Sequence, residues 1–152
     1  MIARGKRVTF FCGIGCRDCK DEVVALAQRI GAPIAHTLRA KDIFDYDDEG
    51  VIGMTGLIGN PGGYHAVLDC DVLVMLGTDF PYDEFLPGGI EIIQIDRKVD
   101  HIGRRAPVTL GLVASDDCGM SPQPWGKVCE QHRGHAGLLL QHVTINLDEL
   151  RA

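Results

Sequence analysis

Residues 71–76 read Asp-Val-Leu-Val-Met-Leu, an apolar run with no polar face that stands between Cys70 and Gly77. A strand that is covered on both faces has such a run, whereas a half-exposed strand alternates polar and apolar residues. Further runs of strand-forming residues lie at 7–11, 32–36, 91–96 and 108–113. Helical or long connections separate these runs, which is typical of a mostly parallel sheet with right-handed crossovers. We therefore predict an α/β fold of the doubly wound type.

Two helices are predicted between the strands. Asp18 is the expected cap of a helix that continues to about Ile30, and Gly31 is placed to end it. A shorter helix is expected over residues 64–70. The glycine-rich stretch 50–63 leads into this second helix and is assigned no strand.

Composition limits the function classes. The chain has 152 residues, 45% of them hydrophobic, and a formal net charge of −6 with scattered basic residues. That charge argues against a nucleic-acid partner, because such partners bind basic surfaces. The apolar runs are too short for an integral membrane segment, and no secretory signal is recognisable. The six cysteines are therefore expected to be reduced in a cytoplasmic protein.

The chain divides into two parts of different character. Residues 1–113 are predicted to form the core of a nucleotide-binding domain. Residues 114–152 are an atypical tail, expected to be partly disordered or packed on the same domain. Within this tail we expect loose order over 114–136 and a helix or final strand over about 136–150.

Residues suited to ligand binding follow four of the predicted strands. In open parallel sheets, ligands bind beyond the carboxyl ends of the strands. The candidates are Gly-Ile-Gly at 13–15 for a phosphate, Arg39 and Lys41 for a pyrophosphate, Gly-Thr-Asp-Phe-Pro at 77–81 for close backbone approach, and Asp96 for ribose hydroxyls. Each has a simpler explanation as a tight turn, a solvated surface or a helix cap. Their occurrence at successive strand ends favours nucleotide binding.

The cysteines suggest a competing interpretation. Cys12, Cys16 and Cys19 have the spacing of an iron–sulfur motif, but the triplet begins in a strand-to-helix turn, where its members are expected to point in different directions. A zinc set in the tail is the second alternative, formed by Cys129, His132 and His135 with Cys118 as a fourth ligand. Buried structural cysteines are the favoured interpretation of the triplet.

No catalytic residue is predicted in this chain. A Gly-x-Ser-x-Gly nucleophile motif is absent from the sequence, and both serines lie in the tail. His36, His65 and His101 are isolated in the sequence, and a general acid or base needs a partner that the sequence does not identify.

Six motifs stand in one order along the chain: Phe-Cys-Gly-Ile-Gly-Cys at 11–16, Pro-Ile-Ala-His-Thr-Leu-Arg at 33–39 with Lys41, Tyr-Asp at 46–47, Gly-Met-Thr-Gly-Leu-Ile-Gly at 53–59, Leu-Gly-Thr-Asp-Phe-Pro-Tyr at 76–82 and Ile-Ile-Gln-Ile-Asp at 92–96. Together they resemble a known family, the central domain of thiamine-diphosphate enzymes of the pyruvate oxidase and pyruvate:quinone dehydrogenase type. Acetolactate synthases share that fold but resemble this chain less closely. The similarity runs from about residue 7 to 113. Its most specific parts are residues 53–59 and 77–82.

The resemblance implies a Rossmann-like, six-stranded parallel sheet that binds extended FAD, chiefly through its ADP half. It also implies cofactor-binding roles for positions that match the family motifs. These are Gly13, Ile14 and Gly15 on the phosphate side, Thr37, Arg39 and Lys41 flanking the cofactor, Met54, Thr55, Gly56 and Leu57 near the flavin, Gly77, Thr78, Asp79 and Phe80 near the ribityl and phosphate region, and Asp96 on the adenosine ribose.

The chain departs from the family in two places. Ala40 stands before Lys41 where the family has glycine, and the sequence from about residue 114 is unlike the family. A native sequence, a frameshift and an artefact all remain open as the origin of this tail. The departure puts in doubt any adenine contact from the end of the last strand.

The resemblance also implies what the parent enzyme does. Thiamine diphosphate and magnesium would bind to two other domains of the parent, which oxidatively decarboxylates pyruvate and passes electrons through flavin to a quinone. This chain would contribute flavin binding and packing, would be inactive alone, and would belong to a homo-oligomer, a dimer or tetramer, that is cytoplasmic or peripheral to the membrane. The alternative is a stand-alone packing subunit with a vestigial nucleotide site, of the acetolactate-synthase-like or acetyl-CoA decarbonylase complex type.

Overall fold

The computed structural model describes residues 7–44 and 46–113. The tail predictions, including the zinc set, lie outside the described residues. The regular elements are the strands and helices β1 (Val8–Cys12), α1 (Lys20–Ile30), β2 (Ile34–His36), β3 (Val51–Met54), α2 (Pro61–Leu68), β4 (Val72–Leu76), β5 (Glu91–Asp96) and β6 (Leu110–Val113). Short 3-10 helices cover Ile14–Cys19, Leu38–Ala40, Asp83–Phe85 and Val99–His101.

The six strands form one sheet in the order β3-β2-β1-β4-β5-β6, and every neighbouring pair is parallel. The chain moves outward from β1 to β3, then crosses back to β4 and moves outward to β6 on the other side. The strand order therefore reverses between β1 and β4, which is where open α/β sheets bind ligands. The predicted doubly wound, six-stranded parallel fold is confirmed.

The sheet is covered on both faces at its centre. All five residues of β4 are buried, as the continuous apolar run predicts. The two neighbouring rings of β1 divide between the faces: Phe10 packs in the cluster that includes Val23 of α1, and Phe11 in the cluster that includes Val67 of α2. Side chains alternate across a strand, so this pair supplies both cores.

The first helix begins later than predicted. Asp18 lies in the 3-10 helix Ile14–Cys19, and the α-helix starts at Lys20 with Cys19 as its N-cap. The cause is the contact of this segment with the end of β4, where Gly15 N–H donates to the carbonyl of Gly77 at 3.1 Å. The predicted end is confirmed, because Gly31 has a φ of 68° and donates to carbonyls of the last turn.

The pattern of apolar residues does not predict the third strand, β3, although the family resemblance implies six strands. β3 has Gly53 in its interior, and its pairing with β2 shifts register beside Ile34. The second helix was also placed late: it starts at Pro61 rather than residue 64, with Asn60 accepting from Gly63 N–H at 2.8 Å. Asparagine followed by proline is a helix-start signal that the surrounding glycines obscured.

Long segments with only short 3-10 helices, rather than α-helices, connect β4 to β5 and β5 to β6. Phe80, Phe85 and Leu86 of the first connection pack into the cluster on the α2 face. Neither helix of the described residues is long and apolar enough to cross a membrane.

Candidate nucleotide site

The predicted site residues all follow the carboxyl ends of strands β1 to β5, and these ends share one edge of the sheet. The structure brings two of the groups into direct contact. Gly13 N–H donates to the carbonyl of Leu76 at 2.8 Å. Gly77 N–H donates to the carbonyl of Ile95, at the end of the next strand, also at 2.8 Å. We call the contact formed by Gly13, Gly15 and Gly77 the β1–β4 junction.

The β1–β4 junction leaves no room for side chains. A Cβ on Gly15 would lie 2.7 Å from Gly77 Cα, and a Cβ on Gly77 would lie 2.6 Å from Gly15 Cα. A Cβ on Gly13 would overlap the Gly77 carbonyl and Thr78. Since the Gly13 and Gly15 amides already donate to carbonyls, they are not free to hold a phosphate as the sequence suggested. These glycines are explained by the close packing of two turns.

The turn after β2 offers two exposed cations. Arg39 and Lys41 flank buried Ala40 around the 3-10 helix Leu38–Ala40. Neither cation forms an ion pair or hydrogen bond within residues 7–44 and 46–113. Thr37 is nearly buried, and its N–H donates to the carbonyl of Cys12 at 3.0 Å. This turn is therefore fixed to β1 by its backbone while its two charges remain available.

His36 and Thr55 lie side by side at the ends of β2 and β3. Thr55 N–H donates to the His36 carbonyl at 3.2 Å, and both residues are almost completely buried. His36 Nδ1 is 3.1 Å from the Thr37 carbonyl, and since a carbonyl oxygen can only accept, Nδ1 is the donor in this contact. His36 Nε2 and Thr55 Oγ1 have no hydrogen-bond partner among the described residues.

Buried polar atoms are nearly always hydrogen-bonded, so these two require a partner such as a ligand hydroxyl or a water. Thr55 belongs to the predicted site, whereas His36 was treated as an isolated histidine. Its position at the end of a buried strand, immediately before Thr37, was the available signal.

An apolar rim follows β3. Gly56 has a φ of 116°, and a Cβ there would lie 3.2 Å from the ring of Phe80. Leu57 and Ile58 are each 66% exposed, whereas Phe80 is buried with its ring centroid 5.0 Å from that of Phe11. The predicted residues after β3 and β4 thus meet around the Phe80 ring. This rim is suited to the apolar surface of a ring system.

Asp79 pairs with two arginines, Arg104 and Arg105, that are not among the predicted site residues. It accepts from Arg104 Nη2 and, at 3.1 Å, from Arg105 Nε. Both arginines come from the connection between β5 and β6. The group of Asp79, Arg104 and Arg105 therefore carries one net positive charge. The adjacent basic pair after Gly103 was the signal in the sequence, but nothing there indicated its distant partner.

Asp96 ends β5 and is 6% exposed. Its Oδ1 accepts from Lys98 N–H at 2.9 Å and lies 3.2 Å from His101 Nδ1, although that second contact lacks hydrogen-bond geometry. Oδ2 makes no hydrogen bond within the described residues, so it is available to a ligand hydroxyl.

Gln94 holds the neighbouring connection in place. Its amide donates to the His101 carbonyl at 3.1 Å and accepts from Gly103 N–H at 2.9 Å. A polar residue inside the apolar strand β5 was the sequence signal for this role. Gln94 therefore fixes the segment that supplies His101 and both arginines.

The sequence predicts that the side chains of Cys12, Cys16 and Cys19 point in different directions. This prediction is wrong for Cys16. Its thiol interacts with both Cys12 and Cys19, and Sγ lies 3.4 Å from the Leu76 carbonyl. Within the described residues, no group of three or more Cys, His, Asp or Glu side chains could hold a metal ion.

Comparison with known proteins identifies the family. Residues 1–116 match the family model described as the thiamine pyrophosphate enzyme, central domain. The chain belongs to this family. A protein of Bacillus subtilis described as a candidate thiamine pyrophosphate-containing protein, YdaP, is 38% identical over 119 residues, which are 78% of this chain and 21% of that protein. A 42.6 kDa protein encoded beside isoamylase in Pseudomonas amyloderamosa is 49% identical over 70% of this chain and 27% of its own length.

A solved structure gives the same assignment. A chain from Mycobacterium smegmatis, described as a candidate thiamin diphosphate-dependent enzyme, superposes with a TM-score of 0.58 at 26% identity, covering 74% of this chain and 23% of that one. More distant relatives include an acetolactate synthase of Arabidopsis thaliana and a sulfoacetaldehyde acetyltransferase of Rhodobacter capsulatus. The central domain is therefore shared by proteins of different activity, and this chain spans only about a fifth to a quarter of the length of the relatives it matches.

Proposed function

We propose that this central domain binds the ADP half of FAD at the carboxyl edge of its sheet, as part of a pyruvate-oxidising, thiamine-diphosphate-dependent enzyme. The observation that carries the proposal is the set of unsatisfied groups beside the β1–β4 junction. Among the described residues, one carboxylate oxygen of Asp96 accepts no hydrogen bond, and His36 and Thr55 each have a buried polar atom without a partner. An adenine dinucleotide supplies the hydroxyl groups that would satisfy them.

The charges on this edge also suit a dinucleotide. Arg39 and Lys41 have no ion pair among the described residues, and Asp79 with its two arginines adds one net positive charge. The pyrophosphate would be held by side-chain cations of this kind rather than by the Gly13 and Gly15 amides. The chain as a whole carries a net charge of −6, so this local positive surface is selective.

The other cofactors would bind elsewhere in the parent. Within residues 7–44 and 46–113, no group of three or more Cys, His, Asp or Glu side chains could hold a metal ion. FAD, when bound, would supply electron transfer from the decarboxylated acid to a quinone. The parent would be a cytoplasmic or membrane-peripheral dimer or tetramer, and this chain would be inactive without the other domains.

The test is calorimetric titration of the chain with ADP and, separately, with FAD. Asp96→Ala and Arg39→Ala should each weaken ADP binding by about 10-fold or more, since a hydrogen bond to a charged group contributes roughly 1.5–3 kcal/mol. Asp69→Ala and Arg29→Ala are matched controls at the opposite edge of the sheet and should leave the affinity unchanged. Equal losses in the control variants would contradict the proposed site.

The packing-subunit alternative has one observation in its favour. The Gly13 and Gly15 amides are occupied by the β4 turn, so part of the expected phosphate site is closed. If neither ADP nor FAD binds at millimolar concentration, this alternative replaces the nucleotide-binding proposal.

A further inference from the structure

Three cysteines extend from the sheet toward the surface where the chain leaves β1. Cys12 ends β1 and is fully buried, Cys16 is 2% exposed, and Cys19 is half-buried at the end of the 3-10 helix. Cys16 is the central member, because its thiol interacts with both of the others. All three are reduced in the structure.

The backbone places Cys16 and Cys19 at a distance that suits a disulfide. A 3-10 helix has three residues per turn and rises about 2.0 Å per residue, so residues three apart stack with their Cα atoms about 6 Å apart. Disulfides bridge Cα atoms that are roughly 4.4–6.8 Å apart. Cys-x-x-Cys between a strand and a helix is also the spacing of redox-active dithiols.

We propose that Cys16 and Cys19 form a redox dithiol, which a hydroperoxide oxidises to an intramolecular disulfide. Cys19 meets the oxidant, because it is half-buried at the start of α1 whereas Cys16 is 2% exposed. Cys16 is the resolving partner. Its hydrogen bond with Cys12 and its burial raise the pKa of the Cys16 thiol, so it remains protonated until it reacts.

The reaction has two steps. The Cys19 thiolate attacks a peroxide oxygen, the O–O bond breaks, and sulfenic acid and hydroxide form. The Cys16 sulfur then attacks the Cys19 sulfur, the S–O bond breaks, and a disulfide and water form. Overall, two thiols lose two electrons and two protons, and hydrogen peroxide becomes two molecules of water. A thiol reductant reverses the change. This chemistry does not depend on nucleotide binding.

The test oxidises the reduced full chain with hydrogen peroxide and digests it with a protease specific for lysine. Cleavage after Lys6 and Lys20 yields one peptide that contains all three cysteines. We expect this peptide to lose two hydrogen masses and to regain them with dithiothreitol. Subsequent cleavage after Arg17 separates Cys16 from Cys19, so the two halves stay linked only if the bond spans that position.

Serine variants distinguish the pairings. Cys12→Ser and Cys70→Ser should keep the mass loss, and Cys16→Ser and Cys19→Ser should abolish it. Cys19 lies outside the packed β1–β4 junction, so Cys19→Ser decides the question if the Cys16→Ser chain does not fold. The proposal is wrong if the wild-type peptide keeps three thiols, if Cys19 accumulates sulfinic acid instead, or if the loss requires Cys12.

Discussion

The β1–β4 junction and the turns that flank it occupy the same edge of the sheet but differ in how their polar groups are satisfied. At the junction, the Gly13, Gly15 and Gly77 amides all donate to carbonyls, and no side chain fits between the turns. In the flanking turns, buried atoms of His36 and Thr55 lack partners among the described residues, and Arg39 forms no ion pair with any of those residues. The glycines that most resemble a phosphate-binding motif thus hold the fold together, whereas the unsatisfied polar groups belong to residues that are less recognisable in the sequence.

The largest expected effect comes from filling the junction. Gly77→Ala would place a Cβ against Gly15 and would force an L-residue to a φ of 54°. Overpacking and left-handed strain together should lower the free energy of unfolding by about 3 kcal/mol or more, measured by urea denaturation. Gly88→Ala is the control, because nothing lies within 4 Å of its Cβ. A comparable loss in both variants would show that the junction is not especially close-packed.

A smaller effect is expected from Asp79→Asn in the flanking turns. The side chain is 20% exposed and accepts from Arg104 and Arg105, so its neutralisation leaves two guanidinium groups facing each other. We expect a loss of about 1–2 kcal/mol in unfolding free energy, larger at low salt. The exposed pair of Arg7 with Asp71 provides the comparison: Arg7→Ala should cause no resolvable change. An Asp79→Asn chain as stable as wild type would mean that the pair is only a surface contact.

Thr55→Val is expected to change the stability of the chain and its affinity for a nucleotide in opposite directions. The Thr55 hydroxyl is buried and has no hydrogen-bond partner among the described residues, so its replacement by an apolar group of the same shape should stabilise the ligand-free chain by about 1 kcal/mol. The same change should weaken ADP or FAD binding if a ligand hydroxyl satisfies Oγ1. Thr9→Val is the matched control, since the equally buried Thr9 donates to the Ala66 carbonyl at 2.7 Å and its loss should be destabilising. Destabilisation by both variants would indicate that Thr55 already has a partner.

The sequence predicted the regular parts of the fold because their signals are local. The predicted bounds of β5 match the structure, and those of β4 differ by one residue at its start. Both strands are short apolar runs bounded by turn residues. β3 was missed because Gly53 interrupts its pattern and a register shift beside Ile34 allows the strand to pair despite it. The resemblance supplied the strand count that periodicity could not.

The candidate site was less predictable because its contacts join distant residues. Asp79 meets Arg104 and Arg105 only after two crossovers, and no spacing rule links them. Gln94 looked like one polar residue in an apolar strand, yet it fixes the connection that supplies both arginines. The cofactor-binding roles given to the strand-end residues stay predictions until ligand binding is measured.

Two buried thiols are expected to make the stability of the chain depend on pH: Cys16 beside the β1–β4 junction and Cys70 at the opposite edge of the sheet. Hydrogen bonding with Cys12 and burial raise the pKa of Cys16, and burial raises the pKa of Cys70 to about 11. A thiol whose pKa is higher in the folded chain stabilises that chain fully below its unfolded pKa of about 9, and this stabilisation is lost as the pH rises toward the folded pKa.

The free energy of unfolding should therefore decline between about pH 9 and pH 11. Serine does not titrate in this range, so Cys70→Ser and Cys16→Ser should each flatten the decline measured by denaturation at several pH values. Each variant should remove only its own share of the decline, because the folded-state pKa of both thiols is raised. An unchanged slope in the Cys16→Ser chain would mean that the Cys16 thiol is open to solvent, contrary to its packing against the end of β4.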